Sequence, residues 1–337
     1  MNSNILIITN SSDLHADIIV STLTQKGSAP FRINLDEFPK DFELSFEANQ
    51  DLWKTTVTHL PTGEVLDMNL VKSVWTRKAG NFAFLSEDQY SSQEKAFADQ
   101  EAEHVLNGLL YSLDCYWMNH PLAVRSALWK GEQSVRASKM GFKIPDSLIT
   151  NRPGSVISFK EKMNKDVVLK TMSTPTLSAE EVNADERVVS QGLQTTILTE
   201  DHMENIDSVR EIPCYFQAYI DKQFELRVTI IGNHVFAAKI HSQQSEQTRV
   251  DFRDYSADIL YEPFQLPAEV AERCRKFVHS YDLQYGAMDI IVTPDDEYVF
   301  LENNPAGQFW FVEQLVPELK MMDALANCLI EGNPCQI

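Results

Sequence analysis

The 337-residue chain has 43% hydrophobic and 23% charged residues, an ordinary balance for a soluble globular protein with two or three units of roughly 100–200 residues each. Its formal net charge of -20, with no block of consecutive lysines or arginines, excludes an extended electrostatic grip on nucleic acid. No stretch approaches the roughly 18 apolar residues that span a bilayer, and five cysteines without CxxC spacing argue against a disulfide framework or a zinc site and for a reducing cytoplasm.

Residues 4–9 read as a strand entering the turn Asn10-Ser-Ser-Asp13. Leu14, Ile18, Ile19 and Leu23 then recur at helical spacing, which predicts a helix over 13–26 stopped at Gly27. Residues 42–48 and 55–59 form a meander with its turn at Pro61–Gly63, residues 70–75 a further strand, and 91–113 a long helix. Strand–helix–strand order of this kind predicts a small α/β domain with a partly parallel sheet. The character changes near Asn119–Pro121. A helix is expected over 126–140, stopped by Gly141, with strands at 148–150 and 166–170. Residues 171–200 are polar and weakly periodic, as in a mobile loop over a site. From Tyr215 the chain reads as strands at 215–220, 225–231, 234–241, 288–292 and 298–302, with a helix expected over 267–285.

The last two strands carry the most informative pattern. Asp295 and Asp296 make the turn of a hairpin, and Glu302 and Asn304 leave one face of its second strand. Asp289 on the partner strand reaches that face. Two carboxylates and an amide oxygen converging from rigid elements suit magnesium shared with nucleotide phosphates. The competing reading is a charged strand end facing water, which the apolar Tyr298-Val-Phe-Leu301 run before the motif disfavours.

Lys170 closes the run Asp-Val-Val-Leu-Lys, so its ammonium emerges from a buried strand, where a point charge can meet phosphate. Lys130 sits in the helical stretch Ala127-Leu-Trp-Lys-Gly-Glu-Gln133 and by itself reads as a surface lysine. Gln217, Ala218, Tyr219 and Ile220 form a strand end running into Asp221–Lys222, with backbone groups to offer an adenine edge. Glu225 and Arg227 share one face of the next strand, where a cross-strand ion pair is the plain alternative. Trp310 and Phe311, after the metal strand, read as core.

The order of these features, a lysine helix, a lysine ending a strand, a hinge, Glu-x-Arg, then Asp…Glu-x-Asn, resembles the ATP-grasp fold. The middle of the chain resembles the ligases that mature ribosomal peptides of the microviridin (graspetide) group. The matching pieces are Asn119-His-Pro121, Ala127 with Lys130 and Gln133, Gly141-Phe-Lys-Ile-Pro145, Leu148-Ile-Thr-Asn151, Arg227-Val-Thr-Ile-Ile-Gly232, Val235 to Gln243 and Thr248-Arg-Val-Asp-Phe-Arg253. Val74-Trp-Thr-Arg-Lys78 resembles the pre-ATP-grasp domain of that group.

The resemblance implies an α/β (α+β) protein divided into a pre-ATP-grasp domain (1–120), an ATP-grasp central part (121–214) and a C-terminal part with the metal site (215–337). It implies that Lys130 and Lys170 hold ATP phosphates, that Gln217–Ile220 carry the adenine with Glu225 beside it, and that Asp289, Glu302 and Asn304 bind two magnesium ions. The implied partner is a precursor peptide with a leader segment. Its Asp or Glu side chain is phosphorylated and then attacked by a Ser/Thr hydroxyl or Lys amine, giving an intramolecular ester or amide. Similar enzymes suggest a homodimer. Loss of phosphate from the tetrahedral intermediate needs cations near the acyl oxygen, and Arg227, Lys239, Arg249 and Arg253 are the candidates, with His241 as a base toward the nucleophile. Two alternatives stay open: a ligase for free small carboxylates sharing the ATP site, and an ATP-binding module without turnover. One departure from the pattern is a glycine-free stretch, Thr171 to Ser178, where many relatives carry a glycine-rich phosphate loop.

Overall fold

The computed structural model describes residues 4–50, 53–78, 80–173, 195–252 and 259–334. The first part runs β1 (Ile5–Thr9), α1 (Leu14–Gln25), β2 (Pro30–Asn34), β3 (Phe42–Ala48), β4 (Trp53–His59), β5 (Glu64–Asp67), β6 (Ser73–Thr76), α2 (Ser92–Leu110) and β7 (Tyr116–Met118). The second runs α3 (Pro121–Ser126), α4 (Lys130–Lys139), β8 (Ser147–Thr150), α5 (Pro153–Met163), β9 (Val167–Lys170), β10 (Thr196–Ile197), α6 (Glu200–Glu204) and β11 (Cys214–Ala218). The third runs β12 (Phe224–Ile231), β13 (His234–Ile240), β14 (Tyr261–Pro263), α7 (Ala268–His279), β15 (Tyr285–Val292), β16 (Tyr298–Asn304), α8 (Trp310–Leu315) and α9 (Met321–Glu331).

Three larger sheets organise these elements. The N-terminal sheet is parallel in the order β2-β1-β6-β7, with β3-β4-β5 as a separate antiparallel meander. All five residues of β1 are buried, as a central parallel strand requires. The middle sheet, β10-β9-β11-β8, is small and antiparallel. The C-terminal sheet, β14-β13-β12-β15-β16, is antiparallel and longer. β11 closes the middle sheet and residues 219–223 carry the chain across to β12.

The C-terminal sheet has two different faces. Leu226, Val228 and Ile230 pack with Met288, Ile290 and Val292 against Phe277 and Cys274 of α7. Phe277 sits 4.9 Å from Phe300 and 6.0 Å from Phe142, ring centre to ring centre, contacts worth about 0.5–1.5 kcal/mol each beyond burial. The other face is apolar only at one end, where Ile231, Tyr285 and Ala287 join Ile5, Trp75 and Leu325 in a core shared with the N-terminal sheet, α1 and α9. The opposite end of that face carries the charged residues.

Several expected boundaries move. The helix expected over 126–140 is two, because Ala127 ends α3 and Trp129 caps α4. The helix expected over 267–285 stops at His279; Asp282 has φ 59° and Tyr285 already begins β15. Most of the loop expected over 171–200 lies outside the described residues, but Thr196–Ile197 is a strand pairing with β9. Cys115, Cys214 and Cys274 are free thiols while Cys328 is disulfide-bonded, which corrects the cysteine reading at one position.

Candidate active site

In an antiparallel ladder, residues directly opposite share a face. Arg227 on β12 lies opposite Asp289 on β15, and Asp289 opposite Glu302 on β16. Glu225, Arg227, Asp289, Glu302 and Asn304 therefore stand on one face at the polar end of the sheet. The register slips between Asp289 and Ile290, so the irregularity of the ladder falls at the carboxylate pair.

Two carboxylates facing one another repel unless cations intervene. Arg227 Nη1 donates to Asp289 Oδ1 at 2.7 Å, and both side chains are nearly buried. Its Nη2 donates to Gln308 O at 3.2 Å, while its buried Nε has no hydrogen-bond partner among the described residues. Lys130 Nζ lies 3.0 Å from Glu302 Oε2 and donates to Thr171 O at 2.8 Å. This lysine links the C-terminal sheet to the end of β9 in the middle sheet. The Lys130–Glu302 pair is one-fifth exposed on each side, and such a pair stabilises a fold by only about 1 kcal/mol or less.

Between the two sheets runs a cleft lined by Lys170, Gln217, Ala218, Tyr219, Ile220, Lys222, Glu225, Asp251, Asp289 and Glu302. β11 lies between β8 and β9, and the amides of Ala218 and Tyr219 donate to Asp146 O at 2.9 Å and Asp166 O at 2.8 Å. The Gln217 side chain donates to Ser147 Oγ at 3.1 Å and to the Tyr215 hydroxyl. The segment expected to carry adenine is therefore a wall anchored on both sides. Apolar Val168 and Ile291 line the same cleft, as a base-binding slot requires.

Glu225 is buried beside Lys222, whose Nζ lies 3.0 Å from Glu225 Oε1 and donates to Val250 O at 3.0 Å. Burial pushes the Glu225 carboxyl above its ordinary range, and the Lys222 ammonium opposes that push. An acid whose folded-state pKa exceeds its unfolded value releases a proton on unfolding, so stability falls as pH rises from the unfolded value towards the folded one. Lys222→Met removes the opposing cation. The variant is expected to lose more melting temperature than the parent as pH rises above about 4.5, the ordinary glutamate value; equal slopes would show that Lys222 does not neutralise Glu225.

The chemistry of the donor set fits magnesium. Asp289, Glu302 and Asn304 offer hard oxygens on one sheet face, and nucleotide phosphates complete such a shell. Among the described residues no group of three or more His, Cys, Asp or Glu that could hold a metal is found. The Asn304 Oδ1 is turned back to accept the Ala306 N–H at 3.1 Å.

The remaining candidates are dispersed. Lys239 lies opposite Leu226, on the face that packs against α7, with its ammonium 4.7 Å from the Phe224 ring centre and 2.9 Å from Glu262. His241 Nε2 lies 3.0 Å from the same Glu262 oxygen. Neither lines the cleft. Arg249 is exposed, and its carbonyl accepts from the Tyr219 hydroxyl at 3.2 Å. Arg253 and most of the glycine-free stretch lie outside the described residues. Sequence reasoning missed Lys222, although Lys-x-x-Glu across a turn was a usable signal, and gave Asp251 no role of its own. Asp251 lines the cleft and accepts the Thr195 N–H at 3.2 Å.

The profile of the MvdD pre-ATP-grasp domain matches residues 4–125. Among solved structures, a RiPP-associated ATP-grasp ligase of Chryseobacterium gregarium, in complex with ADP and a leader and core peptide, is 31% identical with a TM-score of 0.88 over 100% of both chains. The macrocyclase MdnC of Microcystis aeruginosa MRC, bound with precursor peptide MdnA, is 26% identical with a TM-score of 0.83, covering 97% of this chain and 99% of its own. A D-alanine–D-alanine ligase of Bacillus anthracis complexed with ATP is 14% identical with a TM-score of 0.56, covering 99% of this chain and 96% of its own, and shares the fold alone. No curated protein matches the chain.

Proposed function

The chain belongs to the ATP-grasp ligases associated with ribosomally synthesised and post-translationally modified peptides (RiPPs), and from that membership we propose that it cyclises a precursor peptide through side-chain acyl phosphates. ATP and magnesium are its cofactors, in line with the ADP and magnesium complexes of its structural neighbours. The observation that carries the reading is the cleft itself. Asp289 and Glu302 on one sheet and Lys170 with the anchored strand end on the other line one space, and Lys130 reaches Glu302 at 3.0 Å.

In the first step an Asp or Glu carboxylate of the peptide attacks the γ-phosphorus of ATP, forming a C(=O)O–P bond as the bond to ADP breaks. Lys130 and Lys170 hold phosphate oxygens and offset their charge, while Gln217–Ile220 hold the adenine with Glu225 and Lys222 at its edge. Asp289, Glu302 and Asn304 would hold magnesium, which would supply positive charge to offset that of the transferring phosphoryl group. In the second step a Ser/Thr hydroxyl or Lys amine attacks the acyl carbon, phosphate leaves, and the nucleophile's proton passes to solvent or a base. Arg227 is the cation retained for the acyl oxygen, because it is paired to Asp289 at the cleft and its Nε is a donor with no partner among the described residues. Lys239 and His241 share Glu262 away from the cleft, so they are left out of both steps.

We also propose that residues 1–120 act as the pre-ATP-grasp unit and that the two grasping parts meet at 219–223 rather than at 214, since β11 hydrogen-bonds with β8 and β9. A homodimer is proposed on resemblance. A cytoplasmic site is proposed on composition, alongside the finding that no helix among the described residues is long and apolar enough to cross a membrane.

Hydroxylamine tests the activation step, because it intercepts acyl phosphates as hydroxamates. With ATP, magnesium and peptides encoded beside the gene, hydroxamates are expected on peptide Asp or Glu side chains, with ADP formed in step. Hydroxamates only on free amino or small carboxylic acids would move the assignment to a small-molecule ligase. No ADP with any acceptor would leave a binding module.

A further inference from the structure

The Trp75-Thr-Arg77-Lys78 segment of the N-terminal sheet does not line the cleft, yet Arg77 is among the least exposed cations of the described residues. Its side chain is 3% exposed and that of Asp13 only 1%, with Arg77 Nε 3.4 Å from Asp13 Oδ2. Thr9 Oγ1 donates to the same Asp13 oxygen at 2.7 Å. Burial opposes ionisation of Asp13, but Arg77 and the Thr9 hydroxyl hold its carboxyl below the usual range. A buried, hydrogen-bonded ion pair of this kind is weak evidence for stability, so its use is sought in what it touches.

Arg77 points at the turn that follows the metal strand. Its Nη1 donates to Ala306 O at 3.2 Å and to Gly307 O at 3.4 Å. The other peptide groups of that turn are also held. Asn119 Nδ2 donates to Pro305 O at 2.9 Å, the Tyr285 hydroxyl to Gly307 O at 2.7 Å, and Arg227 Nη2 to Gln308 O at 3.2 Å. His15 Nε2 accepts the N–H groups of Phe309 at 3.3 Å and Trp310 at 3.2 Å. The same turn reaches back to the site: Ala306 N–H holds Asn304 Oδ1, Gly307 N–H donates to Asn304 O at 3.3 Å, and Gln308 O anchors the arginine that holds Asp289.

We infer that Arg77, locked by Asp13, is a positioning residue of the N-terminal sheet that fixes the turn 305–308 and through it sets Asn304 and Arg227 for magnesium-nucleotide binding. The inference rests on the reading of Asp289, Glu302 and Asn304 as the metal set. Groups that orient ligands in this way, without touching the metal, typically control affinity by about 10–100-fold. The turn has little slack to absorb a shift. A Cβ on Gly307 would stand 3.0 Å from Ala287 Cβ and 3.2 Å from both Arg227 Nη2 and Asn304 Cβ.

The test is a titration of Mn2+ into the full chain with ADP, with free Mn2+ followed by electron paramagnetic resonance and no turnover required. Arg77→Met is expected to weaken Mn2+ binding about 10-fold or more, and Arg77→Lys, which keeps the charge but not the fork, to weaken it less. A folded Arg77→Met that binds Mn2+ like the parent would overturn the inference. If Arg77→Met does not fold, Arg77→Lys decides: weakened binding supports control from the N-terminal sheet, and parental binding overturns it. Glu302→Gln in the same titration separates the two readings, because parental binding there removes the metal site itself, whereas loss there with parental binding in Arg77→Met removes only the positioning role.

Discussion

Glu302→Gln is expected to abolish peptide-dependent ADP formation, a fall of at least about a thousandfold, while the chain stays folded. The substitution keeps the side chain's shape and removes one charge. What is lost is the anionic oxygen that faces Asp289 across β15–β16 and meets Lys130 at 3.0 Å. Several kcal/mol of charge stabilisation from a bound divalent ion would go with it, and about 1.4 kcal/mol is a factor of ten in rate. The stability change is expected to be modest, because glutamine keeps the side chain's shape and Lys130 keeps its bond to Thr171 O. A coupled assay for ADP together with a thermal melt checks both parts. Turnover near the parental rate would place the magnesium elsewhere.

Arg227 has the second large effect, and here stability and catalysis must be separated. Arg227→Ala would strand Asp289 as a buried, uncompensated carboxylate, at a cost of about 3–5 kcal/mol, and inactivity would then say little. Arg227→Lys keeps a cation beside Asp289 but cannot reach Asp289, Gln308 O and a third acceptor at once, as the guanidinium fork can. Its kcat is expected to fall by about 100–1000-fold, the scale for removing one donor aimed at a developing oxyanion, with a smaller change in the KM for ATP. An unchanged kcat with a raised KM for ATP would show that Arg227 serves nucleotide binding alone.

What was legible in the sequence follows the range of the interactions involved. The shared face of Glu302 and Asn304 was legible because alternation is local, whereas the placement of Asp289 opposite Glu302 was not: the register set at the Asp295–Asp296 turn would pair Asp289 with Leu301, and a slip between Asp289 and Ile290 brings it to Glu302. The cluster of Lys170, Gln217–Ile220 and Glu225 in one cleft was legible through the order of motifs, although each was weak alone. The displacement of Lys239 has a local cause. Gly232, at φ 57°, and Asn233 form a two-residue turn between Ile231 and His234, which fixes the pairing so that Lys239 falls opposite Leu226 rather than Arg227. The helix over-run past His279 has another cause. Tyr281 and Leu283 continue the apolar period, and the stop depends on a non-glycine residue, Asp282, taking a left-handed conformation. The ties from His15 and Arg77 to the turn after Asn304 could not be read at all, since they join residues more than 200 positions apart and no local pattern encodes them.

The most direct measurement is the intact mass of peptides encoded beside the gene after incubation with the enzyme, ATP and magnesium. The proposed function predicts the loss of one water mass for each ring closed, in step with ADP formed, and no loss when Glu302→Gln replaces the parent. Peptide of unchanged mass, with ADP formed only when free amino acids or small acids are supplied, would contradict it.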